Sequence, residues 1–273
     1  MASRLSKRLI LLVSFISCSY SMASEHLIPE ESQFSGMFMP EYYGMVIEAL
    51  EGAYDDDVKV RALIFPSFFV EHAVGIRLRE DKYFIFTLTP DKQYWGYMAL
   101  ESYKDESTLV LKNGEFQRDE ESIRRLESQL PKDFHDIEVK RCEVEIPKEV
   151  AESAIDAWEQ MLRRTRYPAA SSTGLDGVTI HFSMDTKFQR LAGKTWSPKP
   201  ESQTGQLVQI SSQMYRMCED SENSINELQS KINALLIQLS DPTSSAMNAR
   251  KPNKSFKDQQ PQAAAADAIN GAA

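Results

Sequence analysis

The sequence is poor in the residues that concentrated catalytic and metal chemistry requires. Its 273 residues include 3 cysteines and 4 histidines. The histidines, His26, His72, His135 and His181, show no metal-ligand spacing on a common face. The cysteines are too few and too far apart for a zinc ribbon or a Cys-x-x-Cys redox pair. Also missing are a Gly-rich phosphate loop, a His-Glu-x-x-His helix, a Gly-x-Ser-x-Gly nucleophile elbow and a Ser-x-x-Lys motif with its companion motifs. These absences predict no cofactor and no metal. They leave scattered carboxylates as the catalytic resource that sequence does not exclude.

Positive charge is also scarce. Lys and Arg number 31 against 40 Asp and Glu, a formal charge of -9, and no Lys/Arg cluster offers the basic face that a nucleic-acid partner needs to displace counterions. An acidic chain instead favours a basic partner through electrostatic steering. Beyond the N-terminus, no stretch is apolar enough to cross a bilayer.

At the N-terminus, Arg4, Lys7 and Arg8 precede an apolar run from Leu9 to Ile16, and Ser21-Met22-Ala23 supplies small residues where a signal peptidase cuts. Residues 1–23 therefore read as a secretory signal, whose removal takes Lys+Arg from 31 to 28 and the formal charge from -9 to -12. The expected location is periplasmic or extracellular. Cys18 after the apolar run raises lipidation as the weaker alternative, because the aromatic Phe15 stands where leucine is usual. Once the signal is gone, Cys142 and Cys218 form an even pair in an oxidising compartment and are candidates for one disulfide.

The strongest local signals run from Ile137 to Pro168. In Ile137–Ile146 apolar residues alternate at Ile137 and Val139, then at Cys142, Val144 and Ile146, predicting a half-buried strand with a bulge near Arg141 where the phase slips. Pro147 then opens a helix in which Val150, Ala151, Ala154, Ile155, Trp158, Met161 and Leu162 make one apolar stripe. Glu149 and Glu152 near its start, and Arg163, Arg164 and Arg166 at its end, oppose the helix dipole. Trp158 reads as a core residue rather than part of an anion-binding patch.

The rest of the chain predicts further elements. A short helix begins at Pro40 with Tyr43, Val46, Ile47, Leu50 and Tyr54 on one face, ending near Gly52 and Asp55-Asp56-Asp57. The three aspartates lack the glycine and distal glutamate of a helix-loop-helix calcium site and read as a solvated turn. Strands are expected over 58–65, 68–78 and 82–88, with a hairpin turn at Arg79-Glu80-Asp81, and further strands over 95–100, 109–111 and 178–184. A charged helix from Arg118 to Leu130 should cover the sheet, and Lys194-Thr-Trp-Ser-Pro198 reads as an aromatic anchor at a chain reversal. Between about Gly205 and Leu239, Leu207, Ser211, Met214, Cys218, Ser221, Ile225, Leu228, Ile232, Leu235 and Leu239 follow a heptad seam of one long helix, with 219–224 as an alternative polar break. Residues 241–273, rich in Ser, Asn, Gln, Pro and Ala, read as a disordered tail.

Together these predict a single α+β domain over residues 24–240, a mainly antiparallel sheet covered by amphipathic helices, with a long C-terminal heptad-bearing helix. Two lobes with a boundary near 131–136 are the alternative. On the 68–78 strand Glu71 and Arg77 project to one side, as an ion pair or the start of a polar site, while His72 faces inward. On the 178–184 strand His181 falls on the outer or groove face beside Thr179 and Ser183, which makes it the first choice for a titrating histidine. The expected function is an exported, non-enzymatic binding protein acting on a protein or envelope component. One competing reading is a cell-envelope hydrolase using His181 with a nearby carboxylate, Asp176 or Asp185, and with Glu71 as a further candidate. The other is a structural envelope protein that self-associates as a homodimer through 205–239.

Overall fold

Both faces of the central sheet are covered, and this double burial explains the phase change in the Ile137–Ile146 stretch. The computed structural model describes residues 26–30, 40–104, 110–112, 115–117, 119–167, 177–218 and 224–241. Its strands are β1 (Ile28–Pro29), β2 (Val58–Pro66), β3 (His72–Arg79), β4 (Lys82–Pro90), β5 (Val110–Lys112), β6 (Glu115–Gln117), β7 (Val139–Ile146), β8 (Val178–Asp185) and β9 (Arg190–Trp196). Its α-helices are α1 (Pro40–Ala49), α2 (Trp95–Lys104), α3 (Glu120–Gln129), α4 (Lys148–Arg163), α5 (Gln203–Arg216) and α6 (Ser224–Ser240). Seven strands form one antiparallel sheet in the order β1-β9-β8-β2-β3-β4-β7, and β5 pairs antiparallel with β6 in a separate two-stranded sheet. The fold is α+β.

On one face Ala62, Ile64, Val74, Ile76, Ile180 and Phe182 pack beneath α4, α5 and α6; on the other Leu63, Phe65, Ala73, Phe86 and Leu88 pack beneath α1 and the 3-10 turn Glu51–Tyr54. Strand alternation therefore divides side chains between two cores rather than between core and water. Ile137 and Val139 belong to the second core while Val144 and Ile146 belong to the first. The β4–β7 register runs unbroken from Tyr83↔Ile146 to Pro90↔Val139, so the expected bulge near Arg141 is corrected to a regular strand.

The helix after β7 forms as its pattern requires. Val150, Ala151, Ala154, Trp158, Met161 and Leu162 are buried on its inner stripe, and truncating Trp158 to alanine should cost about 3–5 kcal/mol. Arg163 pairs with Glu159 one turn back, and Arg164 donates to the Leu239 carbonyl at 2.7 Å, satisfying an orphan acceptor near the end of α6. In the C-terminal region α5 and α6 are both helical, and residues 219–223 between them lie outside the described residues. The seam residues Leu207, Met214, Leu228, Ile232, Leu235 and Leu239 are buried in the first core of this same chain.

Several local expectations are corrected. Residues 95–100 form the start of α2 rather than a strand. The third strand begins at His72 and not at Phe68, because Phe68 and Phe69 stand 71% and 75% exposed on the preceding loop. Lys194–Trp196 belong to β9, paired with β8, instead of a chain reversal. The predicted face of α1 packs on the second core, with Val46 and, just past the helix, Leu50 buried and Tyr43, Ile47 and Tyr54 half-buried; Tyr42, not in the predicted set, is buried there too. The hairpin turn falls at Glu80 and Asp81, with φ of 49° and 66°, the left-handed pair that a two-residue loop requires. By contacts the chain divides into residues 1–239 and 240–273. The signal segment 1–23 with Cys18, and the tail from residue 242, lie outside the described residues.

Candidate functional site

The histidine singled out from sequence is buried. His181 sits on the second face of β8, opposite Leu63 of β2 and Lys194 of β9, and is 5% exposed because that face is itself covered. Its expected position on an open groove face is therefore corrected. The ring lies 5.2 Å from Phe65 and 6.1 Å from Tyr43, and its Nδ1 contacts the carboxylate of Glu30. Of the two proposed carboxylate partners, Asp176 lies outside the described residues, and Asp185 is bound instead by Arg61 at 2.9 Å and Arg190 at 2.8 Å. Burial alone pushes the Asp185 carboxyl upward, but the hydrogen bonds and charges of Arg190 and Arg61 together hold it below its ordinary value. The guanidinium of Arg61 also stacks 4.3 Å over the Tyr54 ring.

Glu71 and Arg77 do share a face, but each has its own partners. The Glu71 carboxylate, fully buried, accepts the hydroxyl of Tyr42 at 2.7 Å and the backbone N–H groups of Tyr94 and Trp95 at 2.9 and 3.0 Å. It thus anchors the start of α2, where a negative charge meets the positive helix end. Burial and then the Glu71 charge drive the Tyr42 hydroxyl far above its ordinary value, and the same two causes push Tyr94 up to about 12. Arg77 donates to the Gly52 carbonyl and pairs with Glu143 at 3.1 Å, with Asp55 and Asp57 at 3.7 and 3.8 Å. Two members of the aspartate turn thus serve as counter-ions to an interior arginine. The Cys142–Cys218 pair is a disulfide, joining β7 to the end of α5.

The concavity that sequence reasoning missed lies on the first face, between the sheet and α5. One cavity of about 370 Å³ is walled by Ile64, Ile180, Val178 and Val208. A second of about 420 Å³ adjoins it, walled by Thr89, Tyr215 and Arg216, and the two share Phe69, His72 and Ser212. The surroundings are fixed in place: Gln93 donates to the Phe69 carbonyl at 2.9 Å, Thr89 donates to the Tyr215 hydroxyl at 3.4 Å, and the disulfide holds the residue two positions beyond Arg216. His72 packs 4.5 Å from the Tyr215 ring and directs Nδ1 at the Val70 carbonyl, 3.1 Å away. Burial lowers its pKa, outweighing that hydrogen bond, so the ring at the centre of the cleft is neutral near pH 7. The one sequence signal for this cleft was the aromatic pair Phe68-Phe69 directly after Pro66-Ser67, where a strand pattern hid two exposed rings.

Searches of family models, curated proteins and solved structures return no match for this chain. Among the described residues, no helix is long and apolar enough to cross a membrane.

Proposed function

We propose that this chain is an exported, non-catalytic binding protein acting on a protein or envelope component, and that its ligand seats in the cleft beneath α5. The observation that carries this reading is the cleft itself: a largely apolar concavity walled by strands and a helix, with Thr89, Tyr215 and Arg216 at one end. The polar groups elsewhere serve the fold, with buried Glu71 holding α2 and exposed Asp185 bound to two arginines. Export rests on the basic and apolar pattern of residues 1–23.

The test is a pull-down from envelope extract with the full chain and with a Ser212→Trp variant, read by mass spectrometry for proteins and lipids alike. Ser212 is exposed on α5 and lines both cavities, so the indole fills the cleft without entering the core. A component retained by the unmodified chain and lost from the folded variant is the expected result. Equal retention by both removes the cleft from the proposal.

The hydrolase reading keeps one supporting observation, the Glu30 carboxylate against His181 Nδ1, an arrangement that orients an imidazole for proton transfer. Hydrolysis of envelope substrates that disappears in a folded His181→Ala variant would favour it over binding alone.

A further inference from the structure

We infer that the cleft accepts a single-chain acyl carboxylate, its tail between Ile64, Ile180 and Val208 and its carboxylate toward Arg216 and Tyr215. The inference rests on the cleft being the ligand site and adds the chemical class of the ligand.

Polarity changes along the cleft. At the Ile64 end the walls are mostly apolar; of the three serines there, Ser211 donates to the Leu207 carbonyl and Ser212 to the Val208 carbonyl at 3.0 and 2.9 Å, and Ser197 accepts the Val178 N–H at 2.9 Å. A peptide laid there would leave backbone N–H and C=O groups facing aliphatic carbon, which costs free energy, whereas an acyl chain has no polar group to strand. At the other end Arg216 supplies a cation on a side chain 57% exposed. One of its nitrogens donates to Gln213, and among the described residues Glu227 pairs with it loosely at 3.8 Å, so Arg216 carries one weak counter-ion and no direct carboxylate hydrogen bond. A guanidinium carries five N–H donors and no acceptor, so donors remain for a carboxylate at the mouth. Thr89 donates to the Tyr215 oxygen, which leaves the phenolic proton to a second acceptor. Between the two ends His72 offers an uncharged ring, its Nδ1–H turned to the Val70 carbonyl.

Isothermal titration of the full chain with octanoate, decanoate and dodecanoate, and with dodecanol as the uncharged counterpart, tests the assignment. Affinity should fall about fourfold for each methylene removed. An Arg216→Gln variant should weaken dodecanoate roughly fivefold and leave dodecanol unchanged, as expected for a partly exposed ion pair. Ser212→Trp, checked for folding by its thermal transition, should abolish both. Equal binding of dodecanoate and dodecanol, untouched by Arg216→Gln but lost in Ser212→Trp, overturns the carboxylate assignment while the cleft remains the ligand site. Binding that survives Ser212→Trp, no binding of any single-chain probe, or binding only to two-chain phospholipid vesicles each overturns the assignment as well. In those cases the pull-down decides separately whether the cleft binds anything.

Discussion

Tyr42 donates its phenolic proton to the Glu71 carboxylate across 2.7 Å, joining α1 to the loop that leads into β3 within the second core. The same carboxylate takes two N–H groups at the start of α2, so three donors depend on one side chain. Glu71→Ala strands the Tyr42 hydroxyl and the Tyr94 N–H in a buried setting and the Trp95 N–H in a half-buried one, and should lower stability by about 3–5 kcal/mol, measured by urea unfolding. Tyr42→Phe removes one donor and should cost about 2 kcal/mol. Because the two residues share a hydrogen bond, the double variant should lose less than the two single losses combined. Additive losses would mean that the pair contributes nothing as a pair.

That buried carboxylate also shows why part of the fold was illegible. Trp95–Leu100 is aromatic and β-prone by composition, and what makes it a helix is an acceptor supplied by Glu71, 24 positions earlier. The Pro147 helix needed no distant partner: its stripe, proline and terminal charges all agreed, and its start was legible to a residue while its end falls at Arg163, three residues before Arg166. The Glu80-Asp81 hairpin and the Cys142–Cys218 pairing were legible for similar local or compositional reasons. His181 was misplaced because alternation distinguishes the two faces of a strand but not whether the second is covered, and α1 together with the Glu51–Tyr54 turn covers it. The cleft draws on β2, β3, β8 and α5, so no window of sequence contains it.

The disulfide should contribute about 4 kcal/mol. Cys142 and Cys218 are 76 positions apart, and closing a loop of that length removes substantial entropy from the unfolded chain. Cys142→Ala/Cys218→Ala should lower the unfolding free energy, read from the urea midpoint and slope, by that amount, and reduction of the unmodified chain should reproduce the loss. Since Cys218 follows Arg216 closely, the same variant should weaken ligand binding in the cleft. Unchanged stability on reduction would show that the crosslink constrains neither state.

Two glycines should respond to alanine with opposite signs. At Gly75 of β3 a Cβ would fall 2.2 Å from the Val60 carbonyl oxygen and 2.6 Å from the Phe86 ring, and neither backbone nor packed ring can withdraw cheaply. Gly75→Ala should destabilise by about 3 kcal/mol. Gly44 lies within α1, exposed, with nothing within 4 Å of a Cβ. Gly44→Ala should stabilise by about 0.5–1 kcal/mol through helix propensity and a less flexible unfolded chain. Thermal unfolding of the two variants side by side checks both signs.

His72 and His135 should titrate on opposite sides of 6.5, the ordinary value for histidine. Burial in the cleft disfavours the charged form of His72, and the bond to the Val70 carbonyl offsets only part of this. His135 is exposed, and its hydrogen bonds to Glu48 and Asp133 hold the proton more tightly than in the unfolded chain. The stability contributions therefore have opposite pH windows. That of His72 is present above 6.5 and is lost as pH falls through its lowered folded pKa, whereas that of His135 is present below 6.5 and is lost as pH rises through its raised one. Imidazole resonances followed by NMR from pH 4.5 to 8.5 should give a His72 midpoint below 6.5 and a His135 midpoint above it. In unfolding curves over the same range, His72→Gln should flatten the decline on the acid side of 6.5, and His135→Gln the decline on the alkaline side. A His72 midpoint above 6.5 would place that ring in water or beside an anion, and the neutral centre assigned to the cleft would fall with it.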